Sequence, residues 1–403
     1  MLRNPRRGYS IGILLGASVA VGITSEAFRS TKVYWWLSDH VVTPLLKGLP
    51  DPEMAHNLSI NLLKMRLHPV SREKKKGTIN PLLATQVFGL NFDSPIGLAA
   101  GFDKQASVYE QLLEMGFSFV EIGGVTPEPQ PGNPKPRLFR LKEDLAVINR
   151  FGLNSDGHKA VSLRMLFRDR KKGILGVNLA KNSISRGGDF ASDYVKGVET
   201  LGPFADFIVL NVSCPNVQYT KDMKDDELKN LVEAVRLARD RVCEDKPFLI
   251  KISPDMNDAA KKKIADIAVL CGVDGFVIAN TTSSRPVTIA SSYKLETGGL
   301  SGKPLKSLAL ETTRDIYRLT NGAIPIIGVG GIFSAEDAYE RIRAGASLVQ
   351  IYTAFIYEGP GVIHKIQSEL QEIVTKDGFT NISQCVGLDV PDVPKQAQID
   401  AEV

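Results

Sequence analysis

Three polar residues stand where short apolar stretches of the chain end, and their types suit the binding of a polar ring. Asn178, Asn211 and Lys251 each follow a run of apolar residues that is typical of a buried parallel strand. Amides suit a heterocycle with alternating donors and acceptors, and a fixed ammonium suits a ring that becomes anionic on reduction. The alternative for any one Asn is that it only caps a loop, which is less expected for several strand ends together.

The elements that must position these residues are eight short β-rich runs, each leading into Gly, Asn, Lys or Tyr-Thr. The runs are residues 96–100, 119–122, 175–177, 207–210, 248–250, 276–279, 326–329 and 348–351. Segments with helical periodicity, such as 225–241 and 259–270, lie between most of them. This alternation predicts an α/β fold, a (β/α)8 TIM barrel, with its active site at the carboxyl ends of the strands.

The glycine-rich segment after the seventh run is the strongest sign of a phosphate site. Gly330 and Gly331 precede Ser334 and a predicted helix, and residues 344–346 lead into the eighth run. Barrels of this class commonly bind phosphate between these last two loops, where backbone N–H groups and a helix amino terminus converge. Glycines in such a segment can also serve turns only. Together with the amides and the ammonium of the other strand ends, this position favours flavin mononucleotide (FMN) over a sugar phosphate.

The charge and the spacing of cysteine and histidine argue against other classes of function. The formal charge of +4 is small, and the basic excess lies in the amino-terminal part, at Arg3, Arg6, Arg7 and residues 72–76. We therefore expect no nucleic-acid partner. The four cysteines form no CxxC pair and the five histidines show no metal-ligand spacing, so we expect reduced thiols and no metal.

The first 28 residues have the composition of a targeting segment followed by a membrane anchor. Residues 1–9 carry three arginines and no acid, as is typical of a mitochondrial targeting sequence. Residues 10–28 are almost free of charge and, with Arg7 and Arg29 snorkelling at the two ends, suffice for one transmembrane span of ~20 residues. The alternative is a cleaved presequence. The lack of a small-residue cleavage site directly before a globular start favours the anchor.

Residues 30–68 predict a pair of amphipathic helices, with a break at 48–52. The aromatic run Tyr34-Trp35-Trp36 suits a membrane interface. Two arrangements stay open at this point. The helices pack on the barrel as a lid, or they lie on the bilayer and open an apolar channel towards the active site.

The remaining segments complete the domain organisation. Residues 69–90 are predicted as a charged linker and the start of a hairpin around Gly89 that plugs the amino-terminal mouth of the barrel. The FMN-binding barrel is predicted at 91–385, and residues 386–403 are predicted to be a flexible tail.

Nine segments of the barrel together resemble one family of enzymes. They are AAGFDK (99–104), EIGGVTPEPQPGNPKPRLFRL (121–141), INRFGLNS (148–155), GVNLAKN (176–182), NVSCPN (211–216), NTT (280–282), ETGGLSGKPL (296–305), GVGGI (328–332) and QIYTA (350–354). In this order they closely resemble the dihydroorotate dehydrogenase family, and the anchor with the helical pair resembles its membrane-bound, quinone-dependent class. The resemblance implies FMN as cofactor and the oxidation of (S)-dihydroorotate to orotate in de novo UMP synthesis. It also implies ubiquinone as electron acceptor and a single-pass anchor in the mitochondrial inner membrane.

The resemblance also implies roles for individual residues. Expected around FMN are Ala100, Gly101, Lys104, Gly124, Asn149, Asn178, Asn211, Lys251, Ala279, Ser301, Gly302, Gly330, Gly331, Tyr352 and Thr353. Expected at the pyrimidine are Lys104, Asn149, Arg150, Phe151, Gly152, Leu153, Asn211, Asn216, Asn280 and Thr281. Expected at the quinone are His56, Arg140 and Tyr352, and the expected catalytic residues are Cys214, Lys104 and Lys251. Lys104 would supply the cation for the substrate carboxylate; its alternative role is that of a surface partner for Asp103.

Cys214 departs from the quinone-dependent class, which usually has serine at this position. Oxidation of the C5–C6 bond removes a proton at C5 and a hydride at C6, so a base must face the flavin across the substrate. A free thiol has a pKa of ~8.5, far closer to neutrality than a serine hydroxyl, so Cys214 needs less help to act as that base. The alternative is an inert small residue in a loop. Further departures are Leu153 in place of an aromatic, Lys47 in place of glutamine, and a loop after Asn216 that lacks the usual glycine.

Two other functions stay open on the sequence. A soluble-type dihydroorotate dehydrogenase that uses fumarate or NAD is favoured by Cys214 and opposed by residues 10–67. A catalytically inactive flavin-binding scaffold in the membrane is suggested only by the altered loop after Asn216.

Overall fold

Eight parallel strands close into a barrel in the computed structural model of the chain, which describes residues 25–77, 79–185, 189–212 and 225–393. The strands of these residues are β1 (Thr85–Val87), β2 (Leu90–Phe92), β3 (Ile96–Leu98), β4 (Phe119–Val125), β5 (Leu138–Leu141), β6 (Ala146–Asn149), β7 (Ile174–Leu179), β8 (Phe207–Asn211), β9 (Phe248–Ile252), β10 (Gly275–Ile278), β11 (Gly299–Gly302), β12 (Ile326–Val329) and β13 (Ala346–Ile351). The barrel order is β3-β4-β7-β8-β9-β10-β12-β13, and β13 pairs with β3 to close it. Each of the eight predicted runs overlaps one of these strands, so the predicted TIM barrel is confirmed.

Helices cover the barrel on the outside. In the described residues they are α1 (Glu26–Arg29), α2 (Lys32–Leu37), α3 (Thr43–Gly48), α4 (Pro52–Lys64), α5 (Arg72–Lys76), α6 (Tyr109–Glu114), α7 (His158–Met165), α8 (Asp189–Leu201), α9 (Asp225–Val242), α10 (Asp258–Leu270), α11 (Lys306–Leu319), α12 (Ala335–Arg343), α13 (Thr353–Glu358) and α14 (Val362–Lys376). A π-helical turn, Ser38–Val42, joins α2 to α3. The two helices named from periodicity, α9 and α10, bury their apolar faces in the core, as an amphipathic helix must.

The amino-terminal end of the barrel is filled by aromatic rings and closed by a hairpin. A Cβ on Gly97 or Gly176 would lie within 2.4 Å of the ring of Phe119 or Phe207, so glycine in β3 and β7 makes room for these rings inside the barrel. Strands β1 and β2 pair antiparallel, and Phe92 packs edge-on against Phe119 at 5.3 Å. The predicted hairpin therefore plugs this mouth.

An antiparallel sheet in the order β11-β6-β5 stands apart from the barrel sheet. Its strands carry residues that line the two cavities described below, among them Asn149, Ser301 and Arg140. The sheet is thus an insertion whose main effect is to place side chains over the carboxyl ends of the barrel strands.

The amino-terminal helices pack on the barrel and present apolar residues outward. The carboxylate of Glu53 on α4 accepts hydrogen bonds from Arg137, at 2.9 Å from Nη2, and the N–H of Gly361 donates to Asp39 at 2.9 Å. Asp51 caps α4 by accepting from the N–H of Glu53 at 2.8 Å. Exposed apolar side chains of this region are Phe28, Val33, Trp36, Leu37, Val41, Val42, Leu45, Met54, Leu58 and Met65. Helical segments at 32–48 and 52–64 thus occupy the two parts of the predicted pair, and the first of them contains the π-helical turn.

The structure corrects one detail of the expected anchor. Most of residues 10–28 lie outside the described residues, and among the helices described none has the length and apolar character that a membrane crossing requires. Arg29 was expected to snorkel at the end of the span. It is buried instead, because its Nη1 donates to the carbonyl of His68 at 3.2 Å and contacts the ring of that residue.

The boundary of the expected tail also needs correction. Residues 386–393 pack on the barrel, where Val390 is fully buried and Asp389 pairs with Arg343 of α12 at 2.6 Å. The apolar valines of the segment VPDVP are the physical reason, since each gains free energy by leaving water. Residues 394–403 lie outside the described part of the chain.

Candidate active site

A cavity opens at the carboxyl ends of the barrel strands, where the predicted site residues meet. Every residue that the sequence analysis placed around FMN lines it: Ala100, Gly101, Lys104, Gly124, Asn149, Asn178, Asn211, Lys251, Ala279, Ser301, Gly302, Gly330, Gly331, Tyr352 and Thr353. Phe151, Leu153, Asn280 and Thr281 of the expected substrate set line it too. The predicted residues are therefore together, while their roles in binding stay predictions.

The carboxylate of Glu121, fully buried on β4, lies behind the lining and holds three of the polar side chains. Its Oε1 accepts hydrogen bonds from Asn178 Nδ2 at 2.7 Å and Lys251 Nζ at 3.2 Å. Its Oε2 accepts one from Gln350 Nε2 at 2.8 Å. A buried ion pair needs such additional hydrogen bonds to offset its desolvation. Sequence reasoning assigned no role to Glu121 or Gln350. The available signal was an acid inside an otherwise apolar strand, since unpaired acids are almost never buried there.

Three amides follow one another across the ends of neighbouring strands. Asn211 Nδ2 donates to Asn178 Oδ1 at 3.2 Å, and Asn280 Nδ2 donates to Asn211 Oδ1 at 3.4 Å. The hydroxyl of Tyr194 on α8 donates to the carbonyl of Asn211 at 2.8 Å. Because Glu121 fixes the first amide, it also sets the orientation of the next two. The sequence-based idea that several Asn residues converge holds, and loop capping alone does not describe them.

Lys104 places a cation beside an aromatic ring in the cavity. Its Nζ lies 2.5 Å from Asn154 Oδ1 and 4.0 Å from the centroid of the Phe151 ring. Asp103, the alternative surface partner, is buried, and its two carboxylate oxygens accept the N–H groups of residues 107 and 108 at 2.7 Å each. Asp103 thus serves the turn before α6, and it is not a surface residue.

The end of the cavity that suits phosphate is formed by two glycines and the start of a short helix. Gly331 has a φ of +73°, and a Cβ there would lie 2.5 Å from Lys306 Cα, so only glycine fits. Tyr352, the N-cap of α13, makes no side-chain cap hydrogen bond, and residues 352–354 line the cavity. A short extra helix after the last strands is a recurring phosphate-binding element of TIM barrels.

The helix amino terminus to which the sequence pointed, that of α12, is occupied by its own cap. Ser334 and Asp337 form a capping box, and Asp337 Oδ2 accepts from the N–H of Phe333 at 2.8 Å and of Ser334 at 3.1 Å. A carboxylate at this place would repel a phosphate. The amino terminus of α12 is therefore poorly suited to a phosphate, whereas residues 352–354 at the start of α13 line the cavity.

Some predicted residues are not brought to the cavity. Arg150 Nη1 pairs with Glu296 at 2.5 Å, and its guanidinium lies 4.4 Å from the centroid of the Phe139 ring, so it faces away from the lining. Gly152 packs against the side chain of Asn133. Cys214 and Asn216 lie outside the described residues.

A second, mostly apolar cavity lies between the amino-terminal helices and the barrel. The residues expected at a quinone, His56, Arg140 and Tyr352, all line it, as does Lys47. Its apolar lining includes Leu46, Leu62, Phe102, Met115 and Phe355. Four residues line both cavities: Leu138, Val147, Phe151 and Tyr352. The two cavities are thus separated by a wall one side chain thick.

Three polar side chains of the second cavity are partly or fully buried. Burial, reinforced by the charge of Lys104, lowers the pKa of His56 to about 4, so the ring is neutral at pH 7. Arg140 Nη1 donates to the carbonyl of Lys47 at 2.7 Å, and burial lowers the pKa of Arg140. Lys47 Nζ donates to the carbonyl of Tyr357 at 2.6 Å. Arg140 and Lys47 therefore supply two cations, each held by a backbone carbonyl, in a mostly apolar space.

The fold and the paired cavities define a class of protein: a TIM-barrel enzyme in which a cavity with ammonium and amide side chains adjoins a more apolar one. The family model described as Dihydroorotate dehydrogenase matches residues 82–374, and the chain belongs to this family. Enzymes of this family are in general flavin-dependent. The family that the sequence motifs predicted is thereby confirmed.

Relatives and solved structures agree over most of the chain. It is 47% identical over 357 residues to a Xanthobacter autotrophicus protein named dihydroorotate dehydrogenase (quinone), covering 87% of this chain and 98% of that protein. It is 46% identical over 356 residues to the Mus musculus protein named dihydroorotate dehydrogenase (quinone), mitochondrial, covering 86% and 89%. The crystal structure of ligand-free DHODH from Eimeria tenella matches with a TM-score of 0.80 and 40% identity, covering 84% of this chain and 99% of that one. The predicted quinone-dependent class is thus the class named for these curated relatives.

Proposed function

We propose that this chain oxidises (S)-dihydroorotate to orotate with FMN and passes the electrons to ubiquinone, in de novo UMP synthesis. The observation that carries the proposal is the shared wall of Leu138, Val147, Phe151 and Tyr352 between a polar and an apolar cavity. A planar cofactor held against this wall is within reach of both cavities. The polar substrate that gives up electrons and the apolar quinone that accepts them can therefore bind in separate cavities.

The residues of the polar cavity fit FMN. Gln350 Oε1 is buried and has no hydrogen-bond partner among the described residues, so an acceptor is available to a ligand N–H. Lys251 Nζ donates to Glu121, and an ammonium has three N–H groups. Gly330, Gly331 and the start of α13 suit the phosphate. When bound, FMN supplies the acceptance of a hydride and its release as electrons.

The substrate would be held by an ammonium and by oriented amides. Lys104 provides the cation for the carboxylate of dihydroorotate, beside the Phe151 ring. Asn149, Asn211 and Asn280 offer donors and acceptors to the amide groups of the pyrimidine. Cys214, which follows Asn211 by three positions in the sequence, is the proposed base that takes the C5 proton while the hydride leaves C6.

The acceptor would enter the apolar cavity, with its ring at Arg140. The guanidinium donates hydrogen bonds to a quinone carbonyl, and His56 adds a neutral ring. Burial raises the pKa of Tyr352 to about 12, so its hydroxyl keeps its proton and acts as a donor. The fumarate or NAD alternative has no such support, because both are polar and the cavity is mostly apolar.

The proposed location is the mitochondrial inner membrane, with residues 10–28 as a single-pass anchor and membrane lipid as a partner. The apolar side chains exposed on α2, α3 and α4, such as Trp36 and Leu45, support contact with a bilayer surface. The name of the Mus musculus relative, which includes the word mitochondrial, supports the organelle.

The test is the spectrum of the purified protein and its response to substrate. We expect a bound yellow chromophore that bleaches when dihydroorotate is added and recovers with ubiquinone, but not with fumarate or NAD. Recovery with fumarate in place of quinone would favour the soluble-type enzyme. A bound flavin that never bleaches would favour the inactive scaffold, and a protein that binds no flavin would refute the proposal.

A further inference from the structure

Arg341 on α12 is a buried cation that pairs with no carboxylate of the described residues. Its side chain is 1% exposed, and all its hydrogen bonds go to neutral carbonyls. Nη1 donates to Val329 at 3.0 Å, and Nη2 donates to Gly330 at 2.8 Å and to Lys306 at 3.3 Å. Its Nε is buried and has no hydrogen-bond partner among the described residues. Burying a charge in this way is strongly unfavourable unless another charge compensates it.

The acids closest to Arg341 along α12 are already engaged. Asp337 and Glu340 pair with Lys306 Nζ at 2.6 Å and 2.9 Å. Burial lowers the pKa of Arg341 to about 10, which leaves the guanidinium charged at neutral pH. The two carboxylates outnumber the one ammonium of Lys306, and their charges favour the charged form of Arg341 from a distance. Among the described residues the guanidinium therefore lies behind the glycine-rich segment as a cation with no carboxylate in contact.

A glycine in strand β12 provides the space that the side chain of Arg341 occupies. A Cβ on Gly328 would lie 2.5 Å from Arg341 Cγ, so the first glycine of the GVGG segment admits the stem of the arginine. Gly328 is part of β12 and does not line the cavity, so its role differs from that of Gly330 and Gly331. Because Arg341 requires a glycine opposite it in a barrel strand, we infer that its role goes beyond filling space in the core.

The hydrogen bonds of Arg341 also set the direction of two backbone N–H groups. In a trans peptide the carbonyl and the following N–H point in opposite directions. The carbonyls of Val329 and Gly330 point to Arg341, so the N–H groups of Gly330 and Gly331 point away from it. Both glycines line the cavity. An anion in the cavity would thus meet two N–H groups with a cation behind them.

We propose that Arg341 is a positioning residue for the phosphate of the cofactor: its hydrogen bonds to the carbonyls of Val329 and Gly330 turn the Gly330 and Gly331 N–H groups towards the phosphate, and its positive charge attracts the phosphate from behind them. This inference rests on the proposed function, because it presumes that FMN occupies the cavity. It assigns the anchoring of the phosphate to a side chain that does not contact it.

The experiment compares the binding of FMN and of riboflavin, which lacks the phosphate, to the protein freed of its flavin. We expect Arg341→Met to raise the Kd for FMN about tenfold or more, equivalent to ~1.4 kcal/mol. The Kd for riboflavin should change by less than about threefold. Arg341→Lys, which keeps the charge, should retain most of the preference for FMN. Arg343→Met is the matched control, because Arg343 lies on the same helix but pairs with Asp389 at the surface. The Arg343→Met variant should prefer FMN over riboflavin by the same factor as the wild type.

Each result bears on a distinct claim. Equal losses of FMN and riboflavin in Arg341→Met, or no loss of either, would overturn the role of Arg341. If Arg341→Met does not fold, as judged by circular dichroism, Arg341→Gln is measured in its place, and a wild-type preference for FMN there would overturn the proposal as well. A wild-type protein that binds neither flavin would instead refute the proposed function, independently of Arg341.

Discussion

Replacement of Glu121 by Gln tests whether one buried carboxylate organises the polar cavity. The substitution keeps the size of the side chain and removes its charge. The carboxylate accepts from Asn178, Lys251 and Gln350, which are all donors here, and the NH2 group of a glutamine cannot accept from any of them. At least one donor is then left without its partner.

The expected loss follows from the burial of the pair. Glu121 is 0% and Lys251 is 7% exposed in their side chains, and removing one partner of such a pair costs about 3–5 kcal/mol, because the other charge stays buried. The matched control is Glu296→Gln, which breaks the pair with Arg150. Its side chain is 34% exposed, and an exposed ion pair is worth about 0–1 kcal/mol.

The assay is urea denaturation followed by circular dichroism, with the flavin content of each preparation measured in parallel. We expect Glu121→Gln to lower the free energy of unfolding several times more than Glu296→Gln, and to lose flavin because Lys251 and Asn178 are no longer held. If the free energies of unfolding of both variants stay within about 1 kcal/mol of the wild-type value, the buried pair of Glu121 and Lys251 stabilises the protein no more than an exposed pair does, which would refute the prediction.

Three further predictions concern the other parts of the site. Cys214→Ala should abolish turnover while flavin stays bound, since only the proposed C5 base is removed; near-normal turnover in a steady-state assay would exclude Cys214 from the mechanism. Arg140→Ala should raise the KM for quinone and leave the KM for dihydroorotate unchanged, because Arg140 lines only the apolar cavity; an unchanged quinone KM would place the quinone elsewhere. Burial lowers the pKa of His56 from 6.5 to about 4, so between these values the unfolded chain binds a proton that the folded chain excludes, and stability falls as the pH drops. His56→Gln should remove up to ~3 kcal/mol of this dependence; superimposable pH profiles of wild type and variant would contradict it.

The parts of the structure that the sequence predicted are those that local patterns encode. An apolar run followed by Gly, Asn or Lys is visible within a few residues, and closure of the barrel then brings Asn178, Asn211 and Lys251 together. The Glu121 network is different, because its partners lie 57, 130 and 229 positions away. No periodicity reports a contact at such separations.

Three residue positions that the sequence suggested differ from the structure, and each difference has a local physical cause. The amino terminus of α12 is closed by Asp337, which lies at the third position of the helix and completes a capping box with Ser334. The sequence contains that capping pattern, but the glycines before it suggested a phosphate site at the same helix terminus. Arg29 left its expected place because His68, 39 residues later, offers a buried carbonyl. Arg150 turned outward because the segment after β6 is a loop, where the alternation of a strand no longer sets side-chain direction.

The helices that enclose the apolar cavity also carry the exposed apolar surface, and this coincidence bears on how an acceptor reaches the site. Leu46 and Leu62 face the cavity, whereas Leu45 and Leu58 are exposed on the same α3 and α4. A helix that is apolar on both of its sides is poorly suited to water and well suited to a bilayer surface. An acceptor dissolved in lipid would then pass from one apolar medium to another without crossing water, and Arg140, which lines the cavity, is the group that would orient its polar ring.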